Sequence, residues 1–122
     1  MNHNESDEQQ ALFQWAKMMQ GQYPGLSLLH SIPNGGKRNI REAARLKKEG
    51  AKAGVSDIFL PVARGCRHGL YIEMKVKGGK LSPSQEEWID GVTKQGYLAV
   101  VCFGWVEAKD VIEGYLGEGE VG

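Results

Sequence analysis

Two short apolar segments joined by a glycine-containing connection constrain the fold of this chain more than any other feature. In residues 69–75 apolar and polar side chains alternate, which is typical of a strand with one buried face. The alternation places Glu73 and Lys75 together on the polar face. Asp57 lies at the start of the other segment, residues 58–62, and the connection is predicted to be a hairpin. If the two strands pair, Asp57 can reach the face that carries Glu73.

Two carboxylates and a lysine on adjacent strands are groups that a metal-dependent phosphodiesterase uses. The carboxylate oxygens of Asp57 and Glu73 suit a hard divalent cation such as Mg²⁺ or Mn²⁺. Lys75 is predicted to hold the attacking water or to offset the charge of the transition state. The alternative is an exposed strand face that carries glutamate and lysine without a catalytic role. The leading hypothesis from these residues is a nuclease.

A basic segment gives the chain a strongly uneven charge distribution, although its net charge is zero. Residues 37–52 contain seven basic and two acidic side chains, a local net charge of +5. Several of the basic residues recur at helical spacing, so one face of a helix is expected to be basic and to meet phosphates. The alternative is a solvent-exposed helix face. The predicted DNA-binding residues of this segment are Lys37, Arg38, Arg41 and Arg45.

The first predicted helix supplies a further carboxylate. Apolar side chains in residues 5–21 recur with the period of an amphipathic helix. Glu8 precedes Leu12 by four residues and so lies toward the inward face, whereas the position of Glu5 is less clear. We therefore predict Glu8 as the acid that this helix contributes to the site. The alternative for Glu8 is a favourable interaction with the helix dipole.

The next predicted element is a strand over residues 26–32, with Leu26, Leu28, His30 and Ile32 on one side. It ends in a proline- and glycine-containing turn. From the residues alone, His30 is a partly buried strand residue and Asn34 is an ordinary turn residue.

Gln85 has two possible roles. Residues 82–85 form a capping box with proline at the first helical position, which requires no catalysis. Gln85 also begins the apolar stripe of the following helix, so it can face the active-site edge of the sheet. Before this helix, Lys77 and Lys80 flank two glycines in a basic loop that is suited to contacts with a DNA backbone. The alternative for this loop is a plain connection.

The order of the predicted elements is helix, strand, basic helix, two strands, helix, strand and helix, which indicates an α/β fold. A chain of 122 residues with 41% hydrophobic content suits one domain, residues 1–122. Residues 1–4 and 117–122 are expected to be frayed. Residues 96–105 are apolar on both faces, which predicts an inner strand covered on two sides.

The motif residues occur in one continuous order: Gly50-x-x-x-Gly54-x-x-Asp57, then Glu73-x-Lys75-x-x-x-Gly79-x-Leu81-Ser82-x-x-Gln85. With this pattern the chain resembles the VRR-NUC family of the PD-(D/E)XK nuclease superfamily, over nearly its whole length. The resemblance implies a restriction-endonuclease-like core, a mixed β-sheet flanked by α-helices. One departure is Ser56, where the family commonly has proline before the aspartate.

The resemblance also implies roles for individual residues. Asp57 and Glu73 correspond to the metal-binding acids, Lys75 to the motif lysine and Gln85 to the glutamine of the following helix. Family members also have a glutamate on the first helix and an asparagine in the glycine-rich turn, so His30 and Asn34 are expected to touch DNA. The predicted metal-contacting residues are Glu8, Asp57, Glu73 and Met74.

The function that the resemblance implies is metal-dependent cutting of branched or flapped DNA, as in DNA repair. Small stand-alone members are similar to Holliday-junction resolvases of phage or bacterial origin. Because a symmetric four-way junction is most simply cut by a two-fold dimer, a homodimer is expected. Two alternatives stay open, namely a catalytically silent DNA-binding module and a nuclease for ordinary duplex or single-stranded DNA.

Composition bears on the expected cellular context. No apolar run is long enough to span a bilayer, and no signal-peptide pattern is present, so neither a membrane partner nor secretion is expected. Cys66 and Cys102 lack the spacing of a metal or redox motif, which favours reduced thiols. The expected location is the cytoplasm of a bacterial or phage-infected cell, and no small-molecule cofactor other than the metal is expected.

Overall fold

The computed structural model describes residues 4–33 and 39–117, which form a four-stranded sheet with helices on both faces. A 3₁₀ helix, Pro24–Leu28, precedes the first strand. The strands are β1 His30–Ser31, β2 Ile58–Leu60, β3 Leu70–Lys75 and β4 Leu98–Phe103. The helices are α1 Glu5–Met18, α2 Ile40–Lys48, α3 Pro83–Lys94 and α4 Trp105–Gly117.

The strands are arranged in the order β1-β2-β3-β4. β1 pairs antiparallel with β2, and β2 pairs antiparallel with β3 through the tight connection at Arg64–Arg67. β3 and β4 are parallel and are joined through α3, as a parallel pair requires a crossover. The mixed sheet that was predicted from the sequence is therefore confirmed.

The hydrophobic core lies on one face of the sheet. Alternate residues of β3, Leu70, Ile72 and Met74, are buried there, and α1 and α4 pack over them. From α1 and α4, side chains such as Leu12 and Ile112 fill the space between helix and sheet. Each fully buried side chain of this size contributes roughly 1.5–3 kcal/mol. Because this face is occupied by the core, the other residues of β3 point to the opposite face.

Two predictions about strands were wrong. Residues 26–32 do not form one strand, because Pro24 and Gly25 start a 3₁₀ helix that ends at Leu28. Leu26 within it and Leu29 after it, three residues apart, are buried. Leu28 points outward and is 51% exposed. Only the two residues of β1 pair with β2.

The predicted inner strand, β4, is instead an edge strand of the described sheet. It is apolar on both sides because α4 packs on one face and α3 on the other. Covering helices, rather than neighbouring strands, account for its composition.

The ends of the described chain are more regular than we expected. Asn4 forms a capping box with Asp7 at the start of α1, and Gly117 is the last residue of α4. Residues 1–3 and 118–122, which were also predicted to be frayed, lie outside the described residues.

Candidate active site

Asp57 and Glu73 face each other across β2 and β3. Ile58 pairs with Ile72 in the antiparallel register, so one step further along the ladder Asp57 lies opposite Glu73. The main-chain carbonyl of Asp57 accepts a 2.7 Å hydrogen bond from Ile32 N, which continues the pairing of β1. Asp57 Oδ2 accepts a 2.7 Å hydrogen bond from Met74 N. The aspartate carboxylate is therefore held on the edge of β3 beside Glu73.

Glu73 is a deeply buried acid with incomplete hydrogen bonding. Its side chain is 1% exposed, and Oε2 accepts a 3.3 Å hydrogen bond from Gln85 Nε2. Oε1 has no donor among the described residues. An ionised carboxylate is costly under these conditions, since burial without a full set of donors disfavours the charged form.

The neighbours of Glu73 reinforce this effect. The pKa of Glu73 is raised from its ordinary 4.5 to about 8, and burial is the largest cause. A hydrogen bond from protonated Glu73 to Asp57 and the negative charge of Asp57 raise it further. Lys75 opposes the shift, because its positive charge lowers this pKa. Ionisation of both acids would therefore create an excess of negative charge that a nearby cation would relieve.

Lys75 lies on the same face as Glu73, two residues further along β3. Its aliphatic stem packs beside Gly79 in the turn that follows the strand. Gly79 N donates a 2.8 Å hydrogen bond to Val76 O, and Gly78 has φ +87°. The turn begins directly after Lys75, and the positive charge of this lysine acts on Glu73.

Gln85 performs both of its possible roles in one conformation. Its Oε1 accepts a 2.9 Å hydrogen bond from Ser82 N, and its backbone N–H donates to Ser82 Oγ at 3.2 Å, which completes the capping box of α3. Its Nε2 donates to Glu73 Oε2. The two ends of one amide therefore connect the start of α3 to the buried acid.

The segment before Asp57 is packed tightly against the start of α3. Gly54 has φ +90°, and a Cβ at this position would overlap the carbonyl group of Ser84. A glycine is therefore needed for both conformation and space. Next to Asp57, the buried Ser56 hydroxyl has no hydrogen-bond partner among the described residues. The glycine of the motif thus fixes the distance between the Asp57 segment and α3.

Glu8, the predicted acid of the first helix, contacts the start of α4. Its Oε1 accepts a 2.9 Å hydrogen bond from Trp105 N at the start of α4 and lies close to Gly104. Glu5 is the α1 acid whose negative charge raises the pKa of Glu73. Glu5 precedes Glu8 by three residues, about one helical turn, so the sequence pattern alone separates them poorly. Glu8 therefore contacts the start of α4, and Glu5 interacts electrostatically with Glu73.

The site offers two acids at its centre rather than a compact metal cage. Within residues 4–33 and 39–117, no three histidine, cysteine, aspartate or glutamate side chains are grouped closely enough to hold a metal ion by themselves. The side chain of Met74 is buried in the core, so only its main-chain carbonyl could reach a cation. A cation that keeps several water ligands suits such an open set of oxygen donors.

The predicted DNA-binding residues are found on three different parts of the surface. His30 is exposed on β1, and Lys77 and Lys80 are exposed around the turn after β3. Arg41 and Arg45 lie on α2, where Arg45 bonds to Glu49 at 3.0 Å. No residue of α2 is buried, and Ile40 is 89% exposed. The remaining three predicted residues, Asn34, Lys37 and Arg38, lie outside the described residues.

Comparison with known proteins identifies the family. The model of the VRR-NUC domain matches residues 2–105. The chain belongs to the VRR-NUC domain family. The PD-(D/E)XK placement and the α/β fold class agree with this membership. This is a family of nuclease type.

A solved structure supports the same assignment. A protein described as a VRR_NUC domain protein is 33% identical to this VRR-NUC domain and superposes with a TM-score of 0.84. The match covers 98% of this chain and 93% of that chain. No curated protein matches the chain. Among the described residues, no helix is long and apolar enough to cross a membrane.

Proposed function

We propose that this VRR-NUC domain is a divalent-metal-dependent endonuclease that hydrolyses DNA phosphodiester bonds. The observation that carries the proposal is the Asp57–Glu73 pair, in which two carboxylates face each other beside Lys75 and the Glu73 pKa is raised. A purely structural role leaves such a pair unexplained, because a buried and incompletely bonded acid destabilises the fold. Strongly perturbed acids are frequent at catalytic sites.

Mg²⁺ or Mn²⁺ is the proposed cofactor. Asp57 and Glu73 would hold it, with Glu5 and the Met74 carbonyl as further oxygen donors. When bound, the metal would polarise the phosphate and activate water. The free Oε1 of Glu73 supports this assignment, since it is a buried acceptor that the described residues leave without a donor.

The other residues have roles that do not depend on metal coordination. Lys75 would orient the attacking water or stabilise the charge that develops on the phosphate. Gln85 would hold Glu73 in position, since its amide bonds both to that acid and to the start of α3. Gln85 thus acts as a positioning residue.

Branched DNA is the proposed substrate, with the Holliday junction as the specific candidate and DNA repair as the process. The family resemblance supports this choice, as does the basic segment that contains Arg41 and Arg45. We further propose a homodimer, because two symmetric cuts need two sites, acting in the cytoplasm of a bacterial or phage-infected cell. Sedimentation of the protein with and without a four-way junction tests the dimer.

The test of the activity is cleavage of a labelled panel of four-way junction, flap, duplex and single-stranded DNA with Mg²⁺, Mn²⁺ or EDTA. Wild type is compared with Glu73→Gln and with the control Glu113→Gln, which changes an acid of α4 that bonds to Lys109. We expect metal-dependent cutting that Glu73→Gln abolishes and Glu113→Gln retains.

The other outcomes support the alternatives. Binding without cutting under every metal condition would indicate a silent DNA-binding module. Equal cutting of ordinary duplex or single strands would indicate a degradative nuclease. Cutting that persists in Glu73→Gln would contradict the proposal that Glu73 belongs to the active site.

A further inference from the structure

We propose that three aromatic side chains next to the acids, His30, Phe59 and Tyr71, form a stacking platform for an unpaired nucleobase beside the scissile phosphate. We refer to these three residues as the aromatic row. The inference rests on the proposed function and deepens it, because it specifies DNA with an unpaired or unstacked base at the cut site. The aromatic row would be a substrate-positioning element rather than part of the hydrolytic chemistry.

The aromatic row follows from strand register. His30 pairs with Phe59 across β1 and β2, and Phe59 pairs with Tyr71 across β2 and β3. The Phe59 and Tyr71 rings are stacked, with centroids 4.3 Å apart and an interplanar angle of 21°. The His30 ring meets Phe59 edge-on at 5.8 Å. Three neighbouring strands therefore present one continuous line of rings.

The aromatic row lies on the same face as the candidate active site. Phe59 follows Asp57 by two residues, and Tyr71 precedes Glu73 by two residues, so each pair shares a face. Two residues of strand span about 7 Å. A phosphate held at the acids would therefore place the base of its own or the adjacent nucleotide over the rings.

The aromatic row is supported from behind and at one end. Gly69 lies under the Phe59 ring, where a Cβ would be 3.0 Å from Cε1. Trp88 of α3 meets the Tyr71 ring edge-on at 5.4 Å. Tyr97 packs against both Phe59 and Tyr71. These contacts hold the rings in place, which lowers the entropy that stacking of a base would cost.

The other end of the aromatic row is accessible within the described part of the chain. His30 is exposed, and Phe59 and Tyr71 are only half-buried. Helices α1 and α4 occupy the opposite face of the sheet, and α3 packs over β4. The exposed end thus lies at β1, at the opposite end of the sheet from β4, on which α3 packs.

The chemistry of the aromatic row favours a base without a pairing partner. Stacking on aromatic side chains is tolerant of sequence, because every base has a π-face. In a continuous duplex both faces of a base are already covered by its neighbours. A flap or a single strand leaves a base unpaired, and a four-way junction interrupts base stacking at its branch point. The aromatic row would therefore distinguish these substrates from uninterrupted duplex.

The test compares Phe59→Leu with Phe13→Leu, a control that removes a half-buried phenylalanine of α1, which packs on the other side of the sheet. Cleavage with Mg²⁺ is measured on two substrates of identical sequence, a 5′ flap and a continuous duplex. For the flap, we expect Phe59→Leu to raise KM about tenfold. The KM of Phe59→Leu for the duplex should change less than twofold. The KM of Phe13→Leu should change less than twofold for the flap and for the duplex.

A second readout does not depend on turnover. In a Glu73→Gln background, 2-aminopurine placed at the unpaired position should lose fluorescence on binding, and Phe59→Leu should restore the fluorescence. Phe59→Tyr keeps the ring and should retain the quenching. If Phe59→Leu fails to fold, as judged by circular dichroism, His30→Ala on the exposed end provides the same comparison.

The outcomes separate this inference from the proposed function. Metal-dependent cutting with an equal effect of Phe59→Leu on flap and duplex would overturn the aromatic row and leave the nuclease intact. Absence of quenching in the bound complex would overturn it as well. Quenching without cutting by the wild type would instead contradict the proposed function while retaining the stacking surface.

Discussion

At the scale of single residues, the site depends on how Glu73 is buried and held. Its carboxyl group has one hydrogen bond from Gln85, one oxygen without a described donor and a second acid opposite. Such an arrangement is unfavourable for the folded protein when no cation is present.

The metal-free protein is expected to lose stability as pH rises from about 4.5 to about 8. Between these values the folded state retains a proton on Glu73 that the unfolded chain has released, because the pKa is raised on folding. The contribution is therefore favourable below pH 4.5 and is lost as pH passes through 8. The slope is at most about 1.4 kcal/mol per pH unit.

The measurement is urea unfolding in EDTA at several pH values for wild type and Glu73→Gln. The difference in free energy of unfolding between the two proteins should change with pH over this range. A pH-independent difference would mean that Glu73 has an ordinary pKa in the folded protein.

Ser82→Ala and Gln85→Ala should separate capping from positioning. Both variants break the capping box of α3, at a cost of about 1 kcal/mol. Only Gln85→Ala also removes the hydrogen bond to Glu73. We expect similar losses of stability but a fall in kcat for Gln85→Ala alone. Equal kcat for the two variants would assign Gln85 to capping only.

At the scale of elements, the segment before Asp57 is tightly packed, whereas the basic helix α2 is not. Gly54 is pressed against Ser84 at the start of α3, which sets the position of the Asp57 segment. α2 has no buried residue. Its basic side chains therefore contribute little to the stability of the fold and are exposed for contact with a binding partner.

Gly54→Ala is expected to reduce both stability and activity, and Gly50→Ala is the matched control. Both glycines have positive φ, but a Cβ at Gly50 would have no atom within 4 Å. Backbone strain of about 1–3 kcal/mol is common to both variants. The overlap with Ser84 adds a further loss and displaces Asp57 only in Gly54→Ala. Thermal unfolding and cleavage rates of the two variants measure the difference.

The double variant Arg41→Ala/Arg45→Ala is expected to flatten the salt dependence of DNA binding. Each lost phosphate contact reduces the slope of log K against log salt concentration by about 0.9 for duplex DNA. Lys94→Ala, on α3, removes an exposed cation that pairs with Asp90 and serves as the control. Binding is measured by fluorescence anisotropy between low and physiological salt. An unchanged slope would exclude α2 from the DNA path.

At the scale of the whole molecule, the sheet divides two tasks between its faces. One face carries the core under α1 and α4, and the other carries Asp57, Glu73 and Lys75. Stability and chemistry therefore use alternate residues of the same strand. Metal binding at the second face should stabilise the entire domain against unfolding, because only the folded chain brings the two acids together.

Mg²⁺ is expected to raise the free energy of unfolding of the wild type, by about 2.7 kcal/mol at 100 times its Kd. Glu73→Gln should abolish this increase and Glu5→Gln should reduce it. Glu8→Ala should lower stability through loss of the Trp105 bond while retaining the Mg²⁺ effect. If Glu8→Ala rather than Glu5→Gln weakened the Mg²⁺ effect, the assignment of the α1 acid would be reversed.

The sequence by itself determined the local features of this VRR-NUC domain. Period-two alternation in β3 placed Glu73 and Lys75 on one face, and the capping box located the start of α3. These features depend on residues close together in the chain, where strand period and helix-end chemistry act directly. The motif order was likewise sufficient to indicate the family.

Only the tertiary structure decided which distant residues meet. It brought Glu8 to the start of α4, reduced the predicted strand before the basic segment to His30–Ser31 and put β4 at the edge of the sheet. It also aligned His30, Phe59 and Tyr71 across three strands. Register and helix packing arise from the burial of the whole core, so a local pattern does not specify them.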